Sequence, residues 1–406
     1  MTATRNALAG PAPPGPSLFW RGLHLAWRNP RMVQGLLREA YRQKWGLARD
    51  RRRPDGFSAL PVSLRLDLTR RCNLKCLMCE QQRHVPGPAG LSWYDSQREL
   101  PLEVWLRLLD QTASFLPRLY LTGGEPTLYR HFRPLVAEAK RRGYLVQVQT
   151  NGTLLEELAG FLVDQGVEIV TVSVDGPAQV HDRIRGRQGA FSLTRKGLEA
   201  LAHARRRRTS PGPIVVLNCV ISKANMGALD EMAPLAMELG ADILQFQHTM
   251  FNSRANVESH NRWLSPEVAR ARGLELTSPS IPAGEYYESE ISADDLPLLR
   301  QGLQLARRQA GNRLKVAFLP NLPAQLLEPY YLNLDHPFPP ACNALWQTCR
   351  ILPDGTVSNC LHVVAGNIAT ESFQEIWNGP RIRRFRQMIR RRLLPGCVRC
   401  CDRSFT

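Results

Sequence analysis

The sequence predicts an α/β protein built on a parallel sheet, with a small cysteine-rich domain at its C-terminal end. Three observations predict it. Strand-like and helical segments alternate from Val62 to Gln247, which is the rhythm of βαβ units. Several strand-like runs, such as Ile169-Val170-Thr171-Val172, are apolar without clean alternation, as expected of strands covered on both faces. Cysteines fall in two groups, at 72, 76 and 79 and at 342, 349, 360, 397, 400 and 401, with Cys219 alone in an apolar run as a small core residue.

Residues 1–16 are rich in Ala, Gly and Pro and are expected to be disordered. Residues 17–45 read as two short helices broken at Pro30, with Ser17 as N-cap of the first. In the second, Val33, Leu36, Leu37, Ala40, Tyr41 and Trp45 follow helical spacing, with Arg38 and Arg42 on the other side. Arg49–Pro61 reads as a linker. Strands are expected at Val62–Leu68, Arg118–Leu121, Tyr144–Gln149, Glu168–Val174, Pro213–Ile221 and Asp242–Gln247. Helices are expected at Leu102–Phe115, Phe132–Arg142, Leu154–Gln165, Phe191–Ala204 and Met226–Leu239. The rhythm stops near residue 250. The expected organisation is a basic N-terminal appendage (1–60), a sheet domain (61–250), an irregular connecting and substrate-side region (251–340) and a cysteine-rich domain (341–406).

Charge narrows the function. The formal net charge is +17, and it lies at the two ends. Residues 1–53 hold eleven basic and two acidic residues, and residues 381–403 hold nine and one; the remainder is neutral. This argues against a chain wrapped in nucleic acid along its length, and leaves basic flanks for an acidic partner. No apolar run reaches the ~18 residues of a membrane span. Prolines interrupt the place where a signal peptide would have its apolar core. A cytoplasmic, reducing location is therefore expected, where clustered cysteines bind metal or do redox chemistry.

The first group, Cys72-Asn73-Leu74-Lys75-Cys76-Leu77-Met78-Cys79, directly follows the first strand. Thiolate is the soft ligand that iron–sulfur clusters take. Three thiolates on one loop leave the fourth iron of a 4Fe–4S cluster open, and an open metal position is a catalytic arrangement. Alone, C-x-x-x-C-x-x-C also fits a zinc knuckle. With Gly123-Gly124-Glu125-Pro126 after the second strand, it resembles the radical S-adenosylmethionine (SAM) superfamily. Thr150-Asn151-Gly152, Ser173-Val174-Asp175-Gly176 and His181-Asp182-Arg183-Ile184-Arg185-Gly186 are similar to later segments of that family.

The resemblance implies a partial six-stranded (β/α) barrel of the TIM type. It implies that Cys72, Cys76 and Cys79 hold the cluster that cleaves SAM. It assigns SAM contacts to Gly123, Gly124, Glu125 and Pro126, with Glu125 facing the methionine amino group and the glycines letting backbone approach the ligand. Asn151, Ser173, Asp175 and Arg185 are candidate SAM contacts as well. Met78 stands where the family often has an aromatic residue beside adenine, and a thioether can pack there. Asn151, Ser173 and Asp175 also read as ordinary strand-end and turn residues.

The second group resembles the SPASM/twitch extension of the same family, which binds auxiliary 4Fe–4S clusters. Ile351–Asn359 reads as a hairpin turning on Pro353-Asp354-Gly355, with Cys360 at its end. The resemblance implies one auxiliary cluster on Cys342, Cys360, Cys397 and Cys400. Cys349 and Cys401 are left over; Cys349 can replace Cys342, or either can serve a second auxiliary cluster, which is disfavoured because the chain shows no further cysteines after Cys401. Zinc on four thiolates is the competing reading.

The family's chemistry is one-electron cleavage of SAM to a 5′-deoxyadenosyl radical that abstracts hydrogen from carbon. The substrate is expected to be a small molecule undergoing net oxidation or modification. The alternative is a ribosomal peptide or protein, and from another class a non-catalytic iron–sulfur or zinc scaffold. The segment before the sheet domain is shorter than the recognition domain many peptide-modifying relatives carry, which tilts the reading toward a small molecule. A flavodoxin- or ferredoxin-type electron donor is expected, and no specific nucleic acid. Phe19, Trp20, Trp27 and Trp45 beside Arg21, Arg28, Arg31, Arg38 and Arg42 suit either peripheral membrane contact through residues 17–45 or docking on the barrel. In the last helix, arginines 381, 383, 384, 386, 390, 391 and 392 interleave with apolar residues and read as a wet face.

Overall fold

The computed structural model describes residues 30–79, 98–208, 212–277, 289–334, 336, 338, 342–360 and 363–400. The expected first helix of residues 17–45 lies outside these, as does Cys401. Helix α1 (Pro30–Tyr41) runs through a π-helical turn (Arg42–Gly46) into α2 (Leu47–Arg52). The repeating units follow: β1 (Ser63–Asp67), α3 (Leu102–Thr112), β2 (Arg118–Thr122), α4 (Phe132–Arg141), β3 (Val146–Thr150), α5 (Leu155–Asp164) and β4 (Ile169–Ser173). After them come α6 (Ala178–Arg185), α7 (Ala190–Arg206), β5 (Ile214–Val220), α8 (Met232–Glu238) and β6 (Ile243–Gln247).

The chain then forms α9 (Arg254–Trp263), α10 (Pro266–Ala271), β7 (Glu275–Leu276), α11 (Leu296–Ala310), β8 (Lys315–Leu319) and α12 (Leu327–Tyr331). The C-terminal part holds α13 (Ala344–Gln347), β9 (Thr348–Ile351), β10 (Thr356–Val357), β11 (Val363–Val364), β12 (Gly366–Asn367), α14 (Phe373–Trp377) and α15 (Pro380–Arg391).

One ten-stranded sheet runs β12-β10-β9-β1-β2-β3-β4-β5-β6-β8. From β9 to β8 every pairing is parallel, and β10 and β12 join antiparallel at the β9 edge. The six expected strands are its centre, and the sheet extends beyond them on both sides. The described residues of 251–340 are largely in regular elements. Leu296, Leu299, Leu303, Ala306 and Ala310 bury one face of α11, and β8 continues the rhythm in register with β6. The second cysteine group does not stand apart. Thr348–Ile351 pairs residue for residue with Ser63–Leu66, so the hairpin is an extension of the catalytic sheet.

The two faces of the sheet differ. Leu64, Leu66, Leu119, Leu121, Val146, Val148, Leu244 and Phe246 are buried on the outer face. Helix α5 buries Leu155, Leu158, Ala159, Leu162 and Val163, the i, i+3, i+4 pattern of a helix lying on a core. The alternate residues of β1, β2, β3 and β6 stay half-buried on the inner face. Coverage of both faces therefore holds for β4 and β5, which bury nearly every residue, while the other strands border an open interior.

The linker Arg49–Pro61 is packed. Asp50 is buried and accepts from Ser58 Oγ (3.1 Å) and Ala59 N–H (2.6 Å). The arginines of α15 are not all wet. Arg386 is fully buried, donates to the carbonyls of Leu345 (2.8 Å) and Gly56 (3.3 Å), and stacks on Trp377. Burial pulls its pKa down to about 9. Arg383 holds Asp55. The two basic ends of the chain thus meet, through backbone carbonyls and the few carboxylates between them.

Candidate functional site

The first cysteine group leaves the C-terminal end of β1, where parallel α/β barrels build their sites. Backbone hydrogen bonds hold this loop on two sides. Toward β2, Gly124 N–H donates to Thr69 O and Glu125 N–H to Arg71 O, both at 2.8 Å. Toward α6, Lys75 N–H donates to Arg185 O (3.1 Å) and Leu77 N–H to Ile184 O (2.9 Å). A Cβ on Gly124 would lie 2.4 Å from Arg71 O. These glycines therefore permit close approach to the cysteine loop's own backbone.

Cys76 is buried, Cys72 and Cys79 are half-buried, and all three pack with Met78 around Leu74 and Ala190. Arg185 Nη1 stands 3.6 Å from Cys76 Sγ, and Asn151 Nδ2 stands 4.0 Å from Cys72 Sγ. Burial pushes the Cys72 thiol up to about 11 against the Leu74 N–H, with Glu125, Cys76 and Cys79 adding to the rise. Such a thiol stays protonated at neutral pH unless a metal displaces the proton.

Glu125 is almost fully buried, and burial raises its pKa. Its carboxylate accepts from Thr127 Oγ1 (2.7 Å), Thr150 Oγ1 (2.8 Å) and Asn151 N–H (2.8 Å). These partners are neutral, and no cation pairs with it among the described residues. Asn151 is fixed in turn by Asn73 (2.8 Å) and by Thr153 Oγ1 (2.7 Å). Pro126 is buried behind Glu125, in the short turn that follows it.

Ser173 ends β4 opposite Asn218 and is buried. Asp175 is fully buried. It pairs with Arg185 at 2.7 Å and accepts from Val220 N–H at 3.0 Å. Its carboxylate is thus engaged within the protein and holds Arg185 in place. Burial pulls the Arg185 pKa down, and Asp175 and Cys76 outweigh it and hold it above the ordinary value. His181 Nδ1 accepts the Asp175 N–H (3.3 Å), and burial drives its pKa down to about 3, so it is neutral.

The inner face of the sheet carries a polar lattice below this loop. Arg118 donates to Gln147 (2.9 Å), Gln147 to Thr171 (3.1 Å), Gln245 to Asn218 (2.7 Å) and Asn218 to Gln247 (3.1 Å), and Tyr120 bonds Gln149. At the top of β1, Asp67 is buried and held by Arg350 of β9 at 2.6 Å and Arg65 at 3.3 Å. Sequence reading missed this pair, because parallel pairing of β9 with β1 leaves no local mark.

In the C-terminal part, Cys342, Cys360, Cys397 and Cys400 are half-buried, whereas Cys349 lies wholly buried on β9. Gly396 ties the closing pair to α9 and to the loop before it: its N–H donates to His260 Nδ1 (3.2 Å) and its carbonyl accepts from Asn252 (3.1 Å). Between Cys397 and Cys400, Arg399 is buried against Phe251, Tyr330 and Phe338 and donates to Tyr330 O (2.5 Å) and Asn333 O (2.7 Å).

These residues fit the groups the resemblance implies. The first loop offers three soft donors, one of them beside a guanidinium that offsets thiolate charge, next to a buried carboxylate supplied only with neutral donors. Among the described residues no three His, Cys, Asp or Glu side chains converge on a single-ion point; a cluster asks for one thiolate at each of several irons.

Residues 66–236 match the model of the Radical SAM superfamily, and residues 342–401 match SPASM, an iron-sulfur cluster-binding domain. The chain is 25% identical over 345 residues to the tungsten-containing aldehyde ferredoxin oxidoreductase cofactor-modifying protein of Pyrococcus furiosus, covering 84% of this chain and 87% of that one. It is 28% identical over 338 residues to the PqqA peptide cyclase of Xanthomonas euvesicatoria, covering 80% and 77%. The crystal structure of Streptococcus suis SuiB shares the fold, with a TM-score of 0.52 at 16% identity over 80% of this chain and 67% of that one. The two matched segments together span more than half of the sequence, each holding one of its cysteine groups, and the chain belongs to the radical SAM superfamily, with a SPASM iron–sulfur domain at its C-terminal end.

Proposed function

We propose that Cys72, Cys76 and Cys79 hold the 4Fe–4S cluster on which SAM is cleaved, and that the hydrogen removed comes from a small molecule bound against the polar inner face of the sheet. The bound cluster and SAM supply a one-electron cleavage that yields a 5′-deoxyadenosyl radical. The protein supplies binding, orientation and exclusion of water. Glu125 offers a buried anion to the amino group of SAM, and Asn151, fixed by Asn73 and Thr153, lies beside Cys72 at the same site. Arg185, held by Asp175, offsets the negative charge at Cys76. Met78 and Ser173 border the same region. The observation that carries the reading is the buried Glu125 carboxylate, supplied only with neutral donors and next to a three-thiol loop.

Cys342, Cys360, Cys397 and Cys400 are assigned to one auxiliary cluster, and Cys349 to the core. A flavodoxin- or ferredoxin-type protein is the expected reductant. Small-molecule chemistry is supported by the amide- and hydroxyl-rich inner face and by the similarity to a cofactor-modifying protein. A peptide substrate is the second reading, favoured by the similarity to a peptide cyclase over most of the chain. Deuterium-labelled candidates of both classes decide between them. Transfer of label into 5′-deoxyadenosine from a small molecule alone supports the first reading, and transfer from a peptide alone overturns it.

A further inference from the structure

Helix α1 and the π-helical turn after it set their apolar row away from the protein. Glu39 and Arg42 face the protein: Glu39 pairs with Arg118 at 3.0 Å, at the start of β2, and Arg42, in the π-helical turn, donates to Phe115 O at 3.0 Å. Gly35 is buried against Leu145, where a Cβ would meet its Cδ1 at 2.5 Å. The helix therefore closes the end of the sheet opposite the cysteine loop. Its apolar residues face solvent: Leu37, Tyr41 and Trp45 are 64%, 67% and 62% exposed. An i, i+4, i+8 row drifts around an α-helix. The π-helical turn at Arg42–Gly46 inserts one residue and counters that drift, keeping Trp45 in line with Leu37.

We propose that this row docks on an anionic lipid surface. Charge identifies the occupant. Arg38, Lys44, Arg49, Arg52 and Arg53 are exposed around and beyond the row, and Arg390 of α15 donates to the Arg53 carbonyl, extending the basic field. The two acidic residues of this helical segment are turned inward, Glu39 to Arg118 and Asp50 to Ser58 and Ala59. The nearest outward carboxylate, Asp55, is engaged by Arg53 and Arg383, so the outward charge around the row is net positive. A single convex row of Leu, Tyr and Trp flanked by cations suits a flat interface, into which aromatic rings sink at headgroup depth while cations meet phosphates. The cysteine loop lies at the other end of the sheet, so docking leaves it facing water and its reductant.

The test uses the full, cluster-loaded chain and sucrose-loaded vesicles of phosphatidylcholine alone or mixed with phosphatidylglycerol. The chain should co-sediment with the mixed vesicles, weakly with neutral ones, and less as salt rises. The triple variant Leu37→Ser, Tyr41→Ser, Trp45→Ser should lose at least about tenfold in partitioning, with SAM cleavage unchanged. Arg38→Gln with Lys44→Gln should weaken binding to mixed vesicles only, and Trp45→Ser alone serves if the triple variant folds poorly. Absence of binding to mixed vesicles, triple-variant binding equal to wild type, or conversion of a dimer to a monomer by the triple variant with binding unchanged would each overturn the proposal.

Discussion

Substituting Gly186 by alanine should unseat the cysteine loop without unfolding the protein. Gly186 ends α6 with φ of +64°, and a Cβ there would lie 2.3 Å from the Lys75 carbonyl oxygen. That oxygen is backbone of the cysteine loop and cannot rotate away. The left-handed conformation costs alanine roughly 1 kcal/mol. Relieving the clash breaks the bonds from Lys75 to Arg185 and from Leu77 to Ile184, at about 1 kcal/mol each. The sum, roughly 3 kcal/mol, lowers the seated population about a hundredfold. The assay is anaerobic release of 5′-deoxyadenosine from SAM, with iron content and melting temperature measured alongside. Gly186→Ala should lose at least about tenfold in rate while the auxiliary iron and most of the stability remain. Gly160→Ala is the control. It lies within α5 with no atom within 4 Å of the added Cβ, so it should be neutral or stabilising by up to ~1 kcal/mol. A Gly186→Ala enzyme with wild-type rate and iron would refute the seating argument.

Other outcomes follow from the same contacts. Arg185→Gln leaves Asp175 buried without its counter-charge and should cost about 3–5 kcal/mol, read by chemical unfolding; an unchanged midpoint contradicts it. Arg350→Met removes the main counter-charge of Asp67, leaving Arg65 and Arg70, and should cost roughly 2–4 kcal/mol, with faster hydrogen exchange in β9; intact protection there argues that the pair does not couple the two parts. His248 is buried beside Tyr331 (2.7 Å), and burial lowers its pKa from 6.5 to about 4. The folded state resists its protonation, so its contribution is full above pH 6.5 and is lost as pH falls toward 4. Between pH 7.5 and 5.5 the wild type should lose about 1.4 kcal/mol more than His248→Phe, and parallel losses would exclude the linkage. Cys349→Ala should keep wild-type iron at a cavity cost of about 1 kcal/mol, whereas Cys342→Ala should lose auxiliary iron; the reverse pattern would exchange their assignments.

What was legible in the sequence was local or periodic. Six strands and their helices announce themselves by apolar runs such as Val215-Val216-Leu217, and Pro353-Asp354-Gly355 marks its own turn. The cysteine loop, the Gly-Gly-Glu-Pro turn and the Arg185-Gly186 cap were visible as motifs. Their reason for adjacency was not, because it lies in backbone bonds and missing Cβ atoms between segments far apart in the chain. Strand β9 is four residues long and pairs with β1 from the other end of the sequence, so neither the extended sheet nor Asp67–Arg350 could be read locally. Helix α11 did carry a readable i, i+3, i+7 row in Leu296, Leu299 and Leu303, hidden by the proline-rich stretches around it. Burial inverted one expectation drawn from composition: Arg386, one of a run of arginines, lies wholly inside. Which face of α1 meets the protein was left open, since amphipathic spacing shows that a helix has two faces but not which one packs, and the apolar row lies outside.

Anaerobic reconstitution followed by reduction in the presence of SAM tests the assignment of the SAM-cleaving cluster to Cys72, Cys76 and Cys79. The wild type should bind about 8 Fe per chain, two four-iron clusters, and release 5′-deoxyadenosine. The triple alanine variant at these positions should retain about 4 Fe and release none. Cleavage of SAM by that variant would contradict the assignment, and bound zinc with near-zero iron in the wild type would contradict the chemistry.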